Sequence, residues 1–308
     1  MPSLNANGIR IAYDTCGDPK AVPLLLINGL GLQLSSWPDE FVEGLADLGF
    51  YVIRFDNRDC GLSTKFEHCG TPSLALAWLK SRLRLPLRPS YTLEDMADDA
   101  VGVLSALGVA RVHVVGVSMG GMIAQLMAAK FPSRVLSLTS IMSSSGRRGL
   151  PGPTRAVRRA MLRRPGNAGD VDAMIEHGVQ LLRALSSPAY PTPEKHLRRR
   201  VARALRRSCC PGGIARQMLA VTACGDRTPQ LRTIAAPTLV IHGAADPMIP
   251  AACGVDTCNA IPGARLELIE GMGHDLPTQL LERLLALIDA HAHGKMLPDS
   301  TPRLFIRQ

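Results

Sequence analysis

Along the first 140 residues, short and almost continuously apolar runs alternate with longer stretches whose apolar positions return every three or four residues. Residues 23–28 and 112–117 are of the first kind, as expected of strands covered on both faces of a parallel sheet. Further strand-like runs stand at 9–15, 51–55 and 135–140, and helical spacing marks 38–48, 93–107 and 119–131. Thr92 and Asp95 are spaced as a capping box before the second of these helices, Gly108 closes it, and Pro132 stops the third. The alternation breaks after 142. From 143 to 233, Arg-rich helical stretches are separated by Pro and Gly, with no strand-like run. Strand pattern resumes at 237–242 and 265–269, and an amphipathic helix is predicted over 278–292. The expectation is an α/β fold with a mostly parallel central sheet flanked by helices. Residues 1–142 and 234–293 form its core, 143–233 an inserted helical cap, and 294–308 a C-terminal extension.

Composition narrows the picture. With 308 residues and 46% hydrophobic side chains, the chain can build one large core. Its longest apolar runs are strand-sized, far short of the roughly 20 residues that cross a bilayer, so no membrane span is expected. Residues 1–14 have neither a basic leader nor an apolar segment, so no signal peptide is read and a cytoplasmic location is expected. The eight cysteines form no C-x-x-C pair and no zinc-like cluster with histidine, which predicts reduced thiols and no metal site. The net charge of +9 is local: residues 141–220 hold 16 Lys and Arg against 4 Asp and Glu, a surplus of 12. One inserted segment, dominated by Arg, is a poor match to a nucleic-acid footprint, and none is expected as a partner. Its helices are read as solvated faces, with steering of anionic substrates as the alternative.

Chemistry enters between a strand and a helix. Gly116-Val117-Ser118-Met119-Gly120-Gly121 is a G-x-S-x-G sequence at a strand-to-helix turn. Such a turn strains its central residue and needs the small neighbours Gly116 and Gly120, and it lifts Ser118 Oγ above the sheet edge. A serine nucleophile needs a base, and the base an acid. Asp246 follows the 237–242 strand and His274 follows the 265–269 strand, each in a loop where open α/β sheets build their sites. Ser118, Asp246 and His274 are therefore the expected catalytic set, with Asp226 as the runner-up acid; Asp275 adjoins the histidine too closely to face it. His242 is read as structural. Leu30, in the loop Asn28-Gly29-Leu30-Gly31, and Met119 are the expected backbone donors of an oxyanion hole.

NGLG at 28–31, FDNRDCGLS at 55–63, GVSMGG at 116–121, HGAADPMIP at 242–250 and GMGHDLP at 271–277 together resemble the α/β-hydrolase superfamily from about residue 5 to 292. Within it, WPDEF at 37–41, the 56–59 turn and the GMGH loop are similar to the branch containing aclacinomycin methylesterase and bacterial carboxylesterases. The resemblance implies hydrolysis of small-molecule carboxylic esters without a cofactor. Asn28 stands where a histidine is common, a change expected to affect local hydrogen bonding only. The alternatives on the same triad are a methylesterase of a polyketide-like substrate and an acyltransferase or perhydrolase. A ligand-binding relative without useful turnover is the reading from another class. Trp37 and Trp78 are read as packing residues, the 56–63 turn as a buttress beneath the site, and a homodimer as the assembly that base rates favour.

Overall fold

The structure is a computed structural model that describes residues 1–163 and 170–296; most of the expected C-terminal extension lies outside them. Eight strands, β1 (Ser3–Ala6), β2 (Ile9–Cys16), β3 (Val22–Ile27), β4 (Phe50–Phe55), β5 (Val112–Val117), β6 (Val135–Ile141), β7 (Thr238–Gly243) and β8 (Arg265–Ile269), form one sheet in the order β1-β2-β4-β3-β5-β6-β7-β8. Only the β1–β2 and β2–β4 pairings are antiparallel; from β4 to β8 every pair is parallel. The α/β expectation holds. The nearly unbroken apolar runs have a plain cause, because alternate residues serve opposite faces. Leu25, Ile27, Val112 and Val114 enter one core cluster, while Leu24, Leu26, Val115 and Val117 enter the other.

Helices α1 (Asp39–Asp47), α2 (Leu74–Arg82), α3 (Leu93–Ala106) and α4 (Met119–Lys130) lie between the early strands. The Thr92–Asp95 capping box forms at the head of α3. Between β6 and β7 come α5 (Arg155–Leu162), α6 (Val171–Leu185), α7 (Glu194–Arg207), α8 (Pro211–Cys224) and α9 (Thr228–Leu231), with no strand among the described residues. Ile175 and Val179 of α6 and Leu197 of α7 make a small core of their own. Helices α10 (Ala251–Ala260) and α11 (Leu281–Ala292) complete the chain. Helices α3 and α4 contribute to the first core cluster; α1 and α11 contribute to the second. No helix among the described residues is long and apolar enough to cross a membrane.

Candidate active site

Ser118 occupies the turn between β5 and α4 with φ 54° and ψ −119°, a backbone state that side chains avoid. Surrounding structure imposes it. The Ser118 N–H donates to Ile141 O of β6 at 2.9 Å, and its carbonyl accepts from Gly121 N at 3.0 Å and from Ser143 Oγ at 2.8 Å. The two flanking glycines are required by space: a Cβ on Gly116 would lie 2.2 Å from Gly120 O, and one on Gly120 would lie 2.1 Å from Ile27 O. Strand and helix therefore approach with no room for a methyl group, and Ser118 is left partly exposed at the carboxyl end of β5.

The two downstream residues reach this turn. His274 Nε2 is 3.1 Å from Ser118 Oγ, and His274 Nδ1 is 2.7 Å from Asp246 Oδ2. The carboxylate fixes the tautomer: Nδ1 carries the proton and donates it, leaving Nε2 free to accept from the serine hydroxyl. Asp246 is 5% exposed, and its Oδ1 accepts from the N–H groups of Met248 and Ile249, both at 2.8 Å. Each carboxylate oxygen thus has a partner, which offsets the cost of burying the charge.

The remaining titratable candidates lie elsewhere or do other work. Asp226 is exposed, and its carboxylate accepts from Thr228 N and Oγ1 at the head of α9. His242 donates from Nε2 to Ile249 O at 2.7 Å, and burial lowers its pKa, so it stands as a neutral strut under the Asp246 loop. Asp275 bonds Ser187. Among the described residues, neither the Leu30 N–H nor the Met119 N–H has an acceptor; Leu30 lies in the loop after β3, and Met119 is the first residue of α4, directly after Ser118. Gly29 lies close enough that an added Cβ would be 3.3 Å from the Ser118 side chain. Asn28 donates to Gln33 O at 2.8 Å and accepts at its carbonyl from Asn57 at 3.1 Å, which closes this loop on itself and on the 56–59 turn.

A model of the α/β-hydrolase fold family matches residues 22–277. The chain belongs to the α/β-hydrolase family. It is 34% identical to rhodomycin D methylesterase DauP of Streptomyces sp. (strain C5), over 96% of this chain and 99% of that protein. It is likewise 34% identical to rhodomycin D methylesterase DnrP of Streptomyces peucetius, over 90% of this chain and 93% of its relative. Among solved structures, a meta-cleavage product hydrolase from Pseudomonas fluorescens IP01 superposes with a TM-score of 0.74 at 19% identity, covering 96% of this chain and 98% of its own.

In this α/β hydrolase the helices between β6 and β7 grip the site loops through residues that no sequence motif marked. Arg207 of α7 donates to both oxygens of the fully buried Asp56 and to Gln33 Oε1, while Asp56 also accepts from Leu34 N and Leu62 N. Gln217 of α8 accepts from Gly31 N and donates to Arg58 O, each at 2.8 Å, beside the Leu30 amide. Arg216 pairs with Asp59 through two bonds of 2.7 Å, and Tyr91 adds a third to the same carboxylate. Burial alone would raise the Asp59 pKa, but these bonds and the Phe66 N–H outweigh it and hold the carboxyl below its ordinary value. The 56–63 turn is thus a buttress that extends to the inserted helices as well as to the sheet. Trp37 is buried and stacked on Phe41 with ring centroids 5.5 Å apart, whereas Trp78 is exposed on α2 beside Arg82.

Proposed function

We propose that this α/β hydrolase is a carboxylesterase that works through an acyl-enzyme on Ser118. The observation that carries the reading is the hydrogen-bonded chain Ser118 Oγ, His274 Nε2, His274 Nδ1, Asp246 Oδ2, held at the carboxyl edge of a parallel sheet. In the proposed reaction the ester carbonyl lies against the Leu30 and Met119 amides. Ser118 attacks it while His274 takes the hydroxyl proton. Asp246 stabilises the resulting imidazolium, which returns the proton to the departing alcohol. Water then repeats the sequence, with the same base, to release the acid.

The helices of 143–233 act in this reading as a cap over the site. Support comes from the bonds of Gln217 to the Gly31 N–H and of Arg207 to Asp56. Small methyl esters are the first substrates to try, because two relatives at 34% identity are named as methylesterases. Tyr190 is the only Phe, Tyr or Trp between 143 and 233, which argues against stacking on a polycyclic acyl group.

The test is hydrolysis of a chromogenic ester series from short to long acyl chains, together with methyl esters, by the wild type and Ser118→Ala. Turnover by the wild type that disappears in the variant supports the serine-esterase reading. Equal hydrolysis by both proteins, or none by the wild type on any ester, overturns it.

A further inference from the structure

We propose that Ser187, on the segment that leaves α6, is a positioning residue that holds His274 in reach of Ser118 by tying down both of its neighbours. The proposal rests on the esterase reading of Ser118 and His274. Ser187 is 1% exposed and touches no reacting atom, so it acts through the loop. Its Oγ accepts from Gly273 N at 2.8 Å and donates to Asp275 Oδ1, and its own N–H donates to that oxygen at 3.0 Å. Between these two anchors, His274 N donates to Leu185 O at 2.8 Å. Ala189 N adds a bond to Gly271 O at 3.2 Å. Residues 271, 273, 274 and 275 are thereby each held by the stretch 185–189.

Close packing reinforces the hydrogen bonds. A Cβ on Gly273 would fall 2.7 Å from Leu185 O, so the two segments meet backbone to backbone. Asp275, next to the base, has its place here: it anchors the segment that leaves α6. Burial pushes its carboxyl up, while the bonds from Ser187 and the positive charge of Arg200 oppose this. Proton transfer between Ser118 and His274 depends on their 3.1 Å separation, and the imidazole is carried by a loop rather than by a strand or helix. Loss of the tether lets the loop drift and disarms the base without touching the substrate.

The experiment follows the second-order rate of Ser118 phosphonylation by a fluorophosphonate, in which the serine oxygen bonds phosphorus, fluoride leaves and His274 takes the proton. Ester kcat and KM, far-UV circular dichroism and melting temperature are measured alongside. Ser187→Ala and Asp275→Ala each slow labelling and kcat by about tenfold, the rate equivalent of one hydrogen bond of ordinary net strength. KM changes by less than about twofold, because no substrate contact is removed. Ser187→Thr, which keeps the hydroxyl, recovers most of the rate. The double Ala variant is little worse than either single, since both break one tether. Should Ser187→Ala fail to fold, Asp275→Ala reads the same tether from its other end. Labelling at the wild-type rate in the folded Ala variants overturns the proposal, as do losses that multiply in the double variant or an equal loss in Ser187→Thr. A wild type that is not labelled at Ser118 brings down the esterase reading, and this proposal with it.

Discussion

Ser118 carries a side chain at φ 54° because β6, Ser143 and α4 leave its backbone no other course. Relieving that strain separates stability from activity: Ser118→Gly is expected to unfold at least about 1 kcal/mol harder than Ser118→Ala, with both inactive, as urea denaturation would reveal. Gly120→Ala is expected to prevent folding or to displace α4, because its new methyl would meet Ile27 O at 2.1 Å. Asp246→Asn tests the tautomer argument. The two backbone N–H bonds keep an oxygen facing Met248 and Ile249, which turns the amide NH₂ toward His274. Nδ1 must then accept, Nε2 becomes the protonated nitrogen, and in the proposed mechanism Ser118 loses its base. A fall in kcat of about 10⁴ with little change in fold is expected, read from kinetics and circular dichroism. All these positions were visible in the sequence, because short turns and loops after strands write their requirements into a few adjacent residues.

At the scale of elements, the strands covered on both faces and the capped helix α3 could be read directly, whereas β1, α2 and α10 could not. Helix α10 reads AACGVDTCNA, with no run of strong helix formers, and it forms against a tertiary surface: a Cβ on its Gly254 would lie 2.5 Å from the His242 ring. Helix α2 leaves Leu74, Leu76, Trp78 and Leu79 exposed, so it has no apolar stripe to detect. The joint between α8 and the 56–63 turn is held by Arg216 and Asp59, whose side chains are 2% and 0% exposed. Arg216→Ala would leave a buried carboxylate without its cation and is expected to cost about 3–5 kcal/mol. Chemical denaturation measures it; a loss under about 1 kcal/mol would mean that Tyr91 and the Phe66 N–H suffice for Asp59.

Across the whole molecule, charge is organised differently from its count. Of the arginines in the inserted helices, Arg203 pairs with Asp39, and Arg207 and Arg216 pair with the buried Asp56 and Asp59. These residues fasten the insertion to the core, while Arg155, Arg158, Arg159 and Arg163 gather around a shallow surface depression. Histidines also link stability to pH. Burial, helped by nearby positive charge, pushes His113 and His291 down to about 4 from the ordinary 6.5. The neutral His291 ring donates to Leu138 O and accepts from Arg265. Above pH 6.5 both folded and unfolded chains leave these rings neutral and nothing is lost. As pH falls from 6.5 toward 4 only the unfolded chain binds protons, so stability declines, by roughly 2 kcal/mol per histidine at pH 5. Unfolding free energies at pH 7.5 and 5.0 would register this, and His113→Gln or His291→Gln should flatten the slope; a slope unchanged in both variants would remove these histidines as its source.

The sequence by itself determined the parallel sheet, the Ser118 elbow, and the order of serine, aspartate and histidine along the chain. The sheet and the elbow depend on residues close together in sequence: a two-faced strand must be apolar throughout, and a turn with no room for Cβ must be glycine. Only the tertiary structure decided which arginines are tethers and which are free charge, that Asp275 faces Ser187, and that Gln217 bonds the loop carrying Leu30. Those bonds join positions 88 and 186 residues apart, and an arginine, serine or glutamine on a helix or loop looks the same in sequence whether it meets water or a buried partner. The partner is supplied by the packing of the inserted helices against the sheet, and no local pattern encodes it.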